Sequence, residues 1–413
     1  MTIAIIGSGI SGLVAAYLLS RRHEVTLFEA GSKLGGHTNT IEVPTANGLL
    51  AIDTGFIVYN DRTYPNFIRL LDQLGVATQP SDMSFSVQCA RTGLEYNGDT
   101  LNTLFAQRRN LLRPAFYSML REILRFNANA PKLLQTSQSG SLTLGAYLKE
   151  QRFAQSFIEQ YIIPMGAAIW STAPPQMLEF PARTFIQFFQ NHGLLSIRDR
   201  PQWRVIQGGS CRYIEKLVAQ SRFSTRLNTP VEQVTRTDSA VQISTADGIE
   251  TFDHVILAAH SDQSLAMLAD ASAAERQILG TIAYQPNEAV LHTDISLLPH
   301  NRRAWASWNC HLDAANEQVA LTYHMNRLQS LPGTTQYCVT LNRTAAIAEA
   351  QILRKIRYHH PVFNAAAIAA QKRHAEINGQ RRTYYCGAYW GYGFHEDGVN
   401  SALAVCRTFG IEL

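Results

Sequence analysis

The chain has 413 residues, 46% of them hydrophobic and 16% charged, with a formal net charge of +4. That length exceeds one comfortable core and predicts two interleaved domains with no disordered tract. The charge pattern excludes a nucleic-acid partner, the six cysteines show neither zinc spacing nor a disulfide framework, and no apolar run is long enough to span a bilayer. The chain starts on an apolar strand with no basic leader or cleavage site, so a cytoplasmic protein with reduced thiols is expected.

Thr2-Ile3-Ala4-Ile5-Ile6 is a short β-branched run suited to a fully buried parallel strand, and Leu13 to Ser20 is apolar enough for a helix. Gly7-Ser8-Gly9-Ile10-Ser11-Gly12 therefore falls on a strand-to-helix turn. There Gly7 permits the turn, Gly9 lets backbone approach a pyrophosphate, and Gly12 allows helix to pack on strand, with Ile10 and Ser11 presenting the helix N-terminus. The next strand, Glu24 to Phe28, ends at Glu29, where an acid that bonds a ribose should stand, with Ala30 beside it. Strand, glycines, helix, strand and acid in that order predict a dinucleotide site.

Residues 101 to 200 read as mostly helical and aromatic, a cap. Within them Leu104 to Phe126 interleaves Arg108, Arg109, Arg113, Arg121 and Arg125 with apolar residues, opposed only by Glu122. Such a stretch either packs one face and solvates its arginines or lies on an anionic membrane surface. Gln135 to Ser141 is the clearest linker, and residues 222 to 260 read as a β-meander followed by a returning sheet strand. From about 280 to 370, strands such as Glu288 to Thr293 and Gln318 to His324 alternate with a helix expected near 344 to 358. Strand, glycine-rich turn and helix close the chain. Metal catalysis has no support, because His359-His360 lacks a carboxylate at helical spacing, and no G-x-S-x-G elbow is present.

Two segments carry a resemblance. Glu29-Ala30-Gly31-Ser32-Lys33-Leu34-Gly35-Gly36-His37-Thr38 resembles the second glycine signature of the amine oxidase and phytoene desaturase superfamily of FAD enzymes. Gly387-Ala388-Tyr389-Trp390-Gly391-Tyr392-Gly393-Phe394-His395-Glu396-Asp397-Gly398 resembles its C-terminal FAD motif. The resemblance implies FAD as cofactor, and an α/β fold in which a Rossmann-like, glutathione-reductase-type FAD domain interleaves with a substrate domain of mixed sheet plus helical cap. The expected division is 1–85, 202–280 and 375–413 for the FAD domain, and 86–201 with 281–374 for the substrate domain. By the same resemblance Gly35, Gly36, His37 and Thr38 lie along the cofactor, His37 standing where Arg is usual. Gly55 and Phe56 belong to a further shared segment, and Val231, following Thr229-Pro230, offers its backbone to adenine. Gly387 ends a strand; Gly398, with Val399 after it, opens a helix aimed at the flavin, and Glu396 and Asp397 cap and charge its start.

The Gly-Phe-His-Glu-Asp-Gly wording is narrower. It is similar to a bacterial group associated with cyclopropane-fatty-acid-synthase-like methyltransferases and related to the flavin desaturase of furan-fatty-acid biosynthesis. That likeness implies oxidation of an unsaturated fatty acyl chain, free or in phospholipid, with a lipid methyltransferase as a candidate partner and a peripheral place at the inner membrane face. His192 in a loop is a candidate base, His395 a candidate flavin contact, and Tyr323 a candidate proton relay. Two readings stand beside this one. A flavin amine oxidase often uses a lysine in the substrate strands, whereas this chain has none between Lys216 and Lys355. A non-catalytic FAD-binding partner of a methyltransferase would hold flavin that no lipid reduces.

Overall fold

The structure, a computed structural model, describes residues 1–136, 142–313 and 319–413. Most of the linker expected at 135–141 lies outside them. The chain forms two compact units: one from Met1–Gln79, Val205–Gln285 and Pro361–Leu413, the other from Pro80–Arg204 and Pro286–His360.

The first unit is built on a five-stranded parallel sheet. Its central strand β1 (Thr2–Ile6) is flanked by β2 (Glu24–Phe28) and by His254–Leu257, with Ser224–Arg226 and Thr383–Tyr385 at the edges. The apolar run in β1 is explained by burial on both faces. Ile3 and Ile5 join a core containing helix α1 (Ile10–Leu19) and the C-terminal helix His395–Thr408, while Ala4 and Ile6 point into a second core with Val234, Ile243 and Ile278. Strands Gln233–Arg236, Val241–Thr245 and Gly248–Phe252 form the expected antiparallel meander, although its first strand starts later than Pro230. Helix α2 (Pro65–Leu74) buries Phe67, Leu70, Leu71 and Leu74 in the first core and ends on left-handed Gly75.

The second unit carries a seven-stranded mixed sheet in which Trp308–Leu312 runs parallel to Phe85–Cys89, while Phe85–Cys89 with Leu94–Asn97, Trp308–Leu312 with Val319–His324, and Cys338–Leu341 with both Val319–His324 and Tyr284–His292 pair antiparallel. Prolines open several of its helices: Pro114, Pro131 and Pro174 each stand in a first turn, where the missing N–H is no loss. Pro164 sits differently, just after a π-helical turn at Ile158–Ile162. It cannot donate to the Gln160 carbonyl, which instead accepts the Tyr96 hydroxyl at 2.8 Å.

The helix expected near 344–358 is not formed. Two short 3₁₀ turns precede an edge strand, Ile352–Pro361. The alanines of 345–350 suggested a helix, but Ile352, Ile356, Tyr358 and His360 recur at the two-residue period of a strand. Ile352 packs against Val290, Leu297 and Ile347, and that tertiary contact outweighs helix propensity.

Candidate functional site

The turn after β1 has the geometry of an anion cradle. Gly7 takes φ +102°, and Gly9 caps α1 without any side chain or acid occupying the helix N-terminus. A Cβ at Gly12 would lie 1.9 Å from the Gly7 carbonyl, so this residue is required by the protein's own backbone. Gly9 differs, because a Cβ there would meet nothing within 4 Å. Its bareness serves no protein contact and leaves room at a helix N-terminus, which suits the pyrophosphate of FAD.

The Gly35-Gly36 loop folds over this turn. Gly35 N–H donates to the Ser8 carbonyl at 3.1 Å, and a Cβ on left-handed Gly36 would come within 3.2 Å of Gly9 Cα. Glu29 closes the other side: its carboxylate accepts from Ser8 N–H at 3.0 Å and from Gly31 N–H at 2.7 Å. Thr229 N–H reaches the Glu29 carbonyl, placing Thr229-Pro230-Val231 beside the end of β2, with Val231 half-buried against the second core. Ala30 follows at the same strand end.

A second cluster hangs from that loop. Thr38 Oγ1 lies 2.6 Å from the Tyr213 hydroxyl and 3.0 Å from His395 Nε2, which is itself 3.3 Å from Tyr213. The His395 ring stacks on Phe56 with centroids 3.5 Å apart and planes 9° apart, and Phe67 meets it edge-on. Phe56 N–H donates to the His37 carbonyl at 2.7 Å, with Gly55 immediately before it. Burial, and then the neighbouring His37, drive the His395 pKa well below the usual imidazole value, so it works as a neutral hydrogen-bonding ring. Tyr213 was missed by the sequence reading. It sits on the buried face of helix Cys211–Ala219 with Ile214 and Leu217, a spacing that marks core and says nothing of its hydroxyl.

Beneath this cluster Asp53 is fully buried. It accepts from Thr40 Oγ1 at 2.6 Å, from Ser210 Oγ at 2.7 Å and from Ser210 N–H, and so ties the N-cap residue of helix Cys211–Ala219 to a distant strand. Desolvation raises its pKa to about 6 despite these donors.

The C-terminal motif corrects several expectations. The helix begins at His395, with Phe394 as N-cap, three residues before Gly398, where it was expected to open. Gly398 lies within the helix, where a Cβ would be 2.6 Å from Ile10 Cγ2 and 3.0 Å from Ser11 Oγ. Its bareness lets two helices touch and does not open one. Val399 puts its side chain in the core. Glu396 caps another helix: its carboxylate accepts from Asn66 N–H at 3.0 Å and Phe67 N–H at 2.9 Å, the free donors at the start of α2. Asp397 keeps the expected role, accepting from Phe394 N–H at 2.9 Å, and burial raises its pKa to about 7. Gly387 donates to Ser401 Oγ at 3.0 Å, tying the strand end to the helix.

The remaining candidates belong to the second unit. His192 ends helix Ala182–Asn191, its Nδ1 3.0 Å from the Phe188 carbonyl and its ring stacked on Phe188. Burial lowers its pKa to about 4. Tyr323 faces Trp308 across the sheet, rings edge to face at 5.1 Å, and burial pushes its hydroxyl far above the ordinary tyrosine value. Among the described residues no cluster of His, Cys, Asp or Glu could hold a metal, and no helix is long and apolar enough to cross a membrane.

Comparison with known proteins bears on this geometry. Residues 10–338 match the family described as flavin containing amine oxidoreductase. A curated relative, an L-amino acid dehydrogenase of Synechocystis sp., is 23% identical over 255 residues, 59% of this chain and 52% of its own, so the chain spans about half the length of that relative. Among solved structures, a CLA-producing fatty acid isomerase from P. acnes is 16% identical with a TM-score of 0.68, covering 98% of each chain. Cyclohexylamine oxidase from Brevibacterium oxydans is 15% identical with a TM-score of 0.68, covering 99% of each. At these identities the likeness is one of fold.

Proposed function

The protein belongs to the flavin-containing amine oxidoreductase family and is an FAD-dependent oxidoreductase; from that premise we propose that it dehydrogenates an unsaturated fatty acyl chain. The observation that carries this reading is chemical: the chain from Leu217 to Arg354 contains no lysine to serve amine oxidation. The second unit instead concentrates apolar rings, with Trp170 against Phe180 and Phe188, and Phe185 against Phe189, all buried. An interior this rich in apolar rings is the kind of lining that suits a hydrocarbon substrate. The fold also accommodates such substrates, since the P. acnes isomerase acts on a fatty acid.

In the proposed role, Gly9, Gly36 and Glu29 with the N-terminus of α1 would hold the pyrophosphate and ribose end of the cofactor, and Val231 would offer its backbone to adenine. Thr38, Tyr213 and His395 fix the loop that covers it. FAD bound there would supply the two-electron, hydride-accepting chemistry. The accompanying proton leaves the adjacent carbon, so the product gains one double bond. His192, unprotonated at neutral pH, is assigned to take that proton; Tyr323 keeps its own proton there and serves as a hydrogen-bond donor. A soluble acceptor class, dioxygen or a quinone, must then take the electrons.

The test is anaerobic mixing of the FAD-loaded protein with cis-unsaturated fatty acids, unsaturated phospholipids, primary amines and L-amino acids, following loss of the flavin's visible absorbance. Bleaching by an unsaturated lipid is expected. Bleaching by amines or amino acids alone would establish the second reading, which the Synechocystis relative favours. Flavin that nothing reduces would point to the non-catalytic partner of a methyltransferase.

A further inference from the structure

Helix Pro114–Asn129 has two apolar stripes where a surface helix normally has one. The inward stripe, with Phe116 and Met119, packs on Val87, Leu94 and Tyr96 of the sheet. The outward stripe is Pro114, Tyr117, Arg121, Leu124 and Ala128, spaced three and four residues apart and all exposed. It contains one cation, no acid and mostly apolar side chains, the reverse of a solvated face. The 3₁₀ turn just before it, Arg108–Leu112, adds Leu112, 88% exposed, and exposed Leu111, and the preceding short helix adds Leu101, 78% exposed.

The charges of the same segment are one-sided. Among the described residues Arg108, Arg109, Arg113 and Arg121 have no acidic partner. The segment's single acid, Glu122, is turned inward and paired with Arg125, whose guanidinium also stacks over Phe153 at 3.9 Å and donates to the Gln151 carbonyl at 2.9 Å. Arg125 is thus neutralised within the fold, whereas Arg108 donates to the Asn102 and Phe105 carbonyls, Arg109 to the Gly93 carbonyl and Arg113 to Asn110 Oδ1, neutral acceptors that leave those charges uncompensated.

We propose that residues 101–128 form a membrane-docking face, in which Leu101, Leu111, Leu112 and Leu124 enter the interfacial zone of an anionic bilayer and the four arginines without an acidic partner meet its phosphates. Protruding leucines among uncompensated arginines match a surface that is negative outside and apolar just beneath. The long arginine stems reach the headgroups while their apolar parts stay with the leucines. This goes beyond the redox reading and stands independently of the substrate oxidised.

The experiment is flotation of the FAD-loaded protein with vesicles of phosphatidylcholine alone and with vesicles of phosphatidylcholine mixed with anionic phosphatidylglycerol. Binding is expected only to the anionic vesicles, weakening as salt shortens the Debye length. Leu111→Gln with Leu112→Gln should reduce partitioning about tenfold or more, and Arg121→Gln about fivefold, roughly one charge's worth at such a surface. FAD content should stay at the parent level in each, which shows that these exposed changes leave the fold intact. No binding by the parent, equal binding to neutral vesicles, or full binding by the double leucine variant would overturn the proposal. So would lipid-free self-association that the same leucine variant abolishes, because the face would then be an interface between copies of the chain.

Discussion

Two glycines three residues apart in one turn do different jobs. Gly12 is squeezed by the protein itself, so Gly12→Ala should destabilise the apo chain by about 1–3 kcal/mol through overpacking. Gly9 has ordinary φ and open space around its missing Cβ, so Gly9→Ala should cost the apo chain no more than the loss of a good N-cap, about 1 kcal/mol, while weakening FAD binding about tenfold or more, about 1.4 kcal/mol. Titration of FAD into both apo variants separates the effects, and unchanged affinity in Gly9→Ala would remove this turn from the cofactor site. Asp53 supplies a pH signature. Its folded pKa of about 6 lies above the ordinary 3.8, so the folded chain holds that proton more tightly than the unfolded one. The stability this contributes is fully present below about pH 4 and is lost as pH rises through about 6. Buried His192 and His292, each lowered to about 4, act in the opposite sense, so net stability hides the effect. The difference isolates it: Asp53→Asn should gain on the parent as pH rises from about 4 to 7 in urea titrations. Parallel pH profiles would refute the assignment.

Helices here are joined by groups that local sequence does not connect. Glu396, in the first turn of the C-terminal helix, caps α2 through Asn66 and Phe67. Glu396→Gln keeps one acceptor oxygen and loses the charge, and should cost about 1–2 kcal/mol in thermal or urea unfolding. Undiminished stability with loss of FAD would instead place Glu396 at the cofactor. Gly398 is the contact point between that helix and α1, and Gly398→Ala should force them apart at a cost of about 1–3 kcal/mol. Between the two lies His395, whose ring on Phe56 and bonds to Thr38 and Tyr213 bind the helix start to the Gly35–Thr38 loop. The helix N-terminus and the loop over the α1 turn are therefore set by one buried side chain.

At the scale of the molecule, the FAD-binding unit is assembled from three separated segments. Its sheet takes an edge strand, Thr383–Tyr385, and its first core takes the helix His395–Thr408 from the last of them. A chain ending before Pro361 should consequently fail to retain FAD, even though the Gly7–Gly12 turn is intact. In the full chain, FAD at about 100 times its Kd should stabilise the folded state by about 2.7 kcal/mol, read as an upward shift in the melting temperature of the apo protein. No shift on FAD addition would contradict a whole-cofactor cradle.

What the sequence determined by itself was whatever depends on near neighbours. The β1 run with its glycine turn, the acid at Glu29, and the meander at 233–252 are legible because strand, turn and helix periodicity span only a few residues. Cofactor class followed from the resemblance of two local segments, Glu29–Thr38 and Gly387–Gly398, to the motifs of a family of FAD enzymes. Only the tertiary structure decided the partners. Glu396 meets α2 across 330 residues, Asp53 meets Ser210 across 157, and Tyr213 finds Thr38 across 175, so no window of sequence contains both ends. It likewise turned 352–361 into an edge strand against its neighbouring alanines, and showed that Arg125 is claimed by Glu122 and Phe153 while Arg121 faces out. The physical reason is the same throughout: a buried polar group or an apolar stripe must find its complement in space, and the folded chain brings that complement from elsewhere.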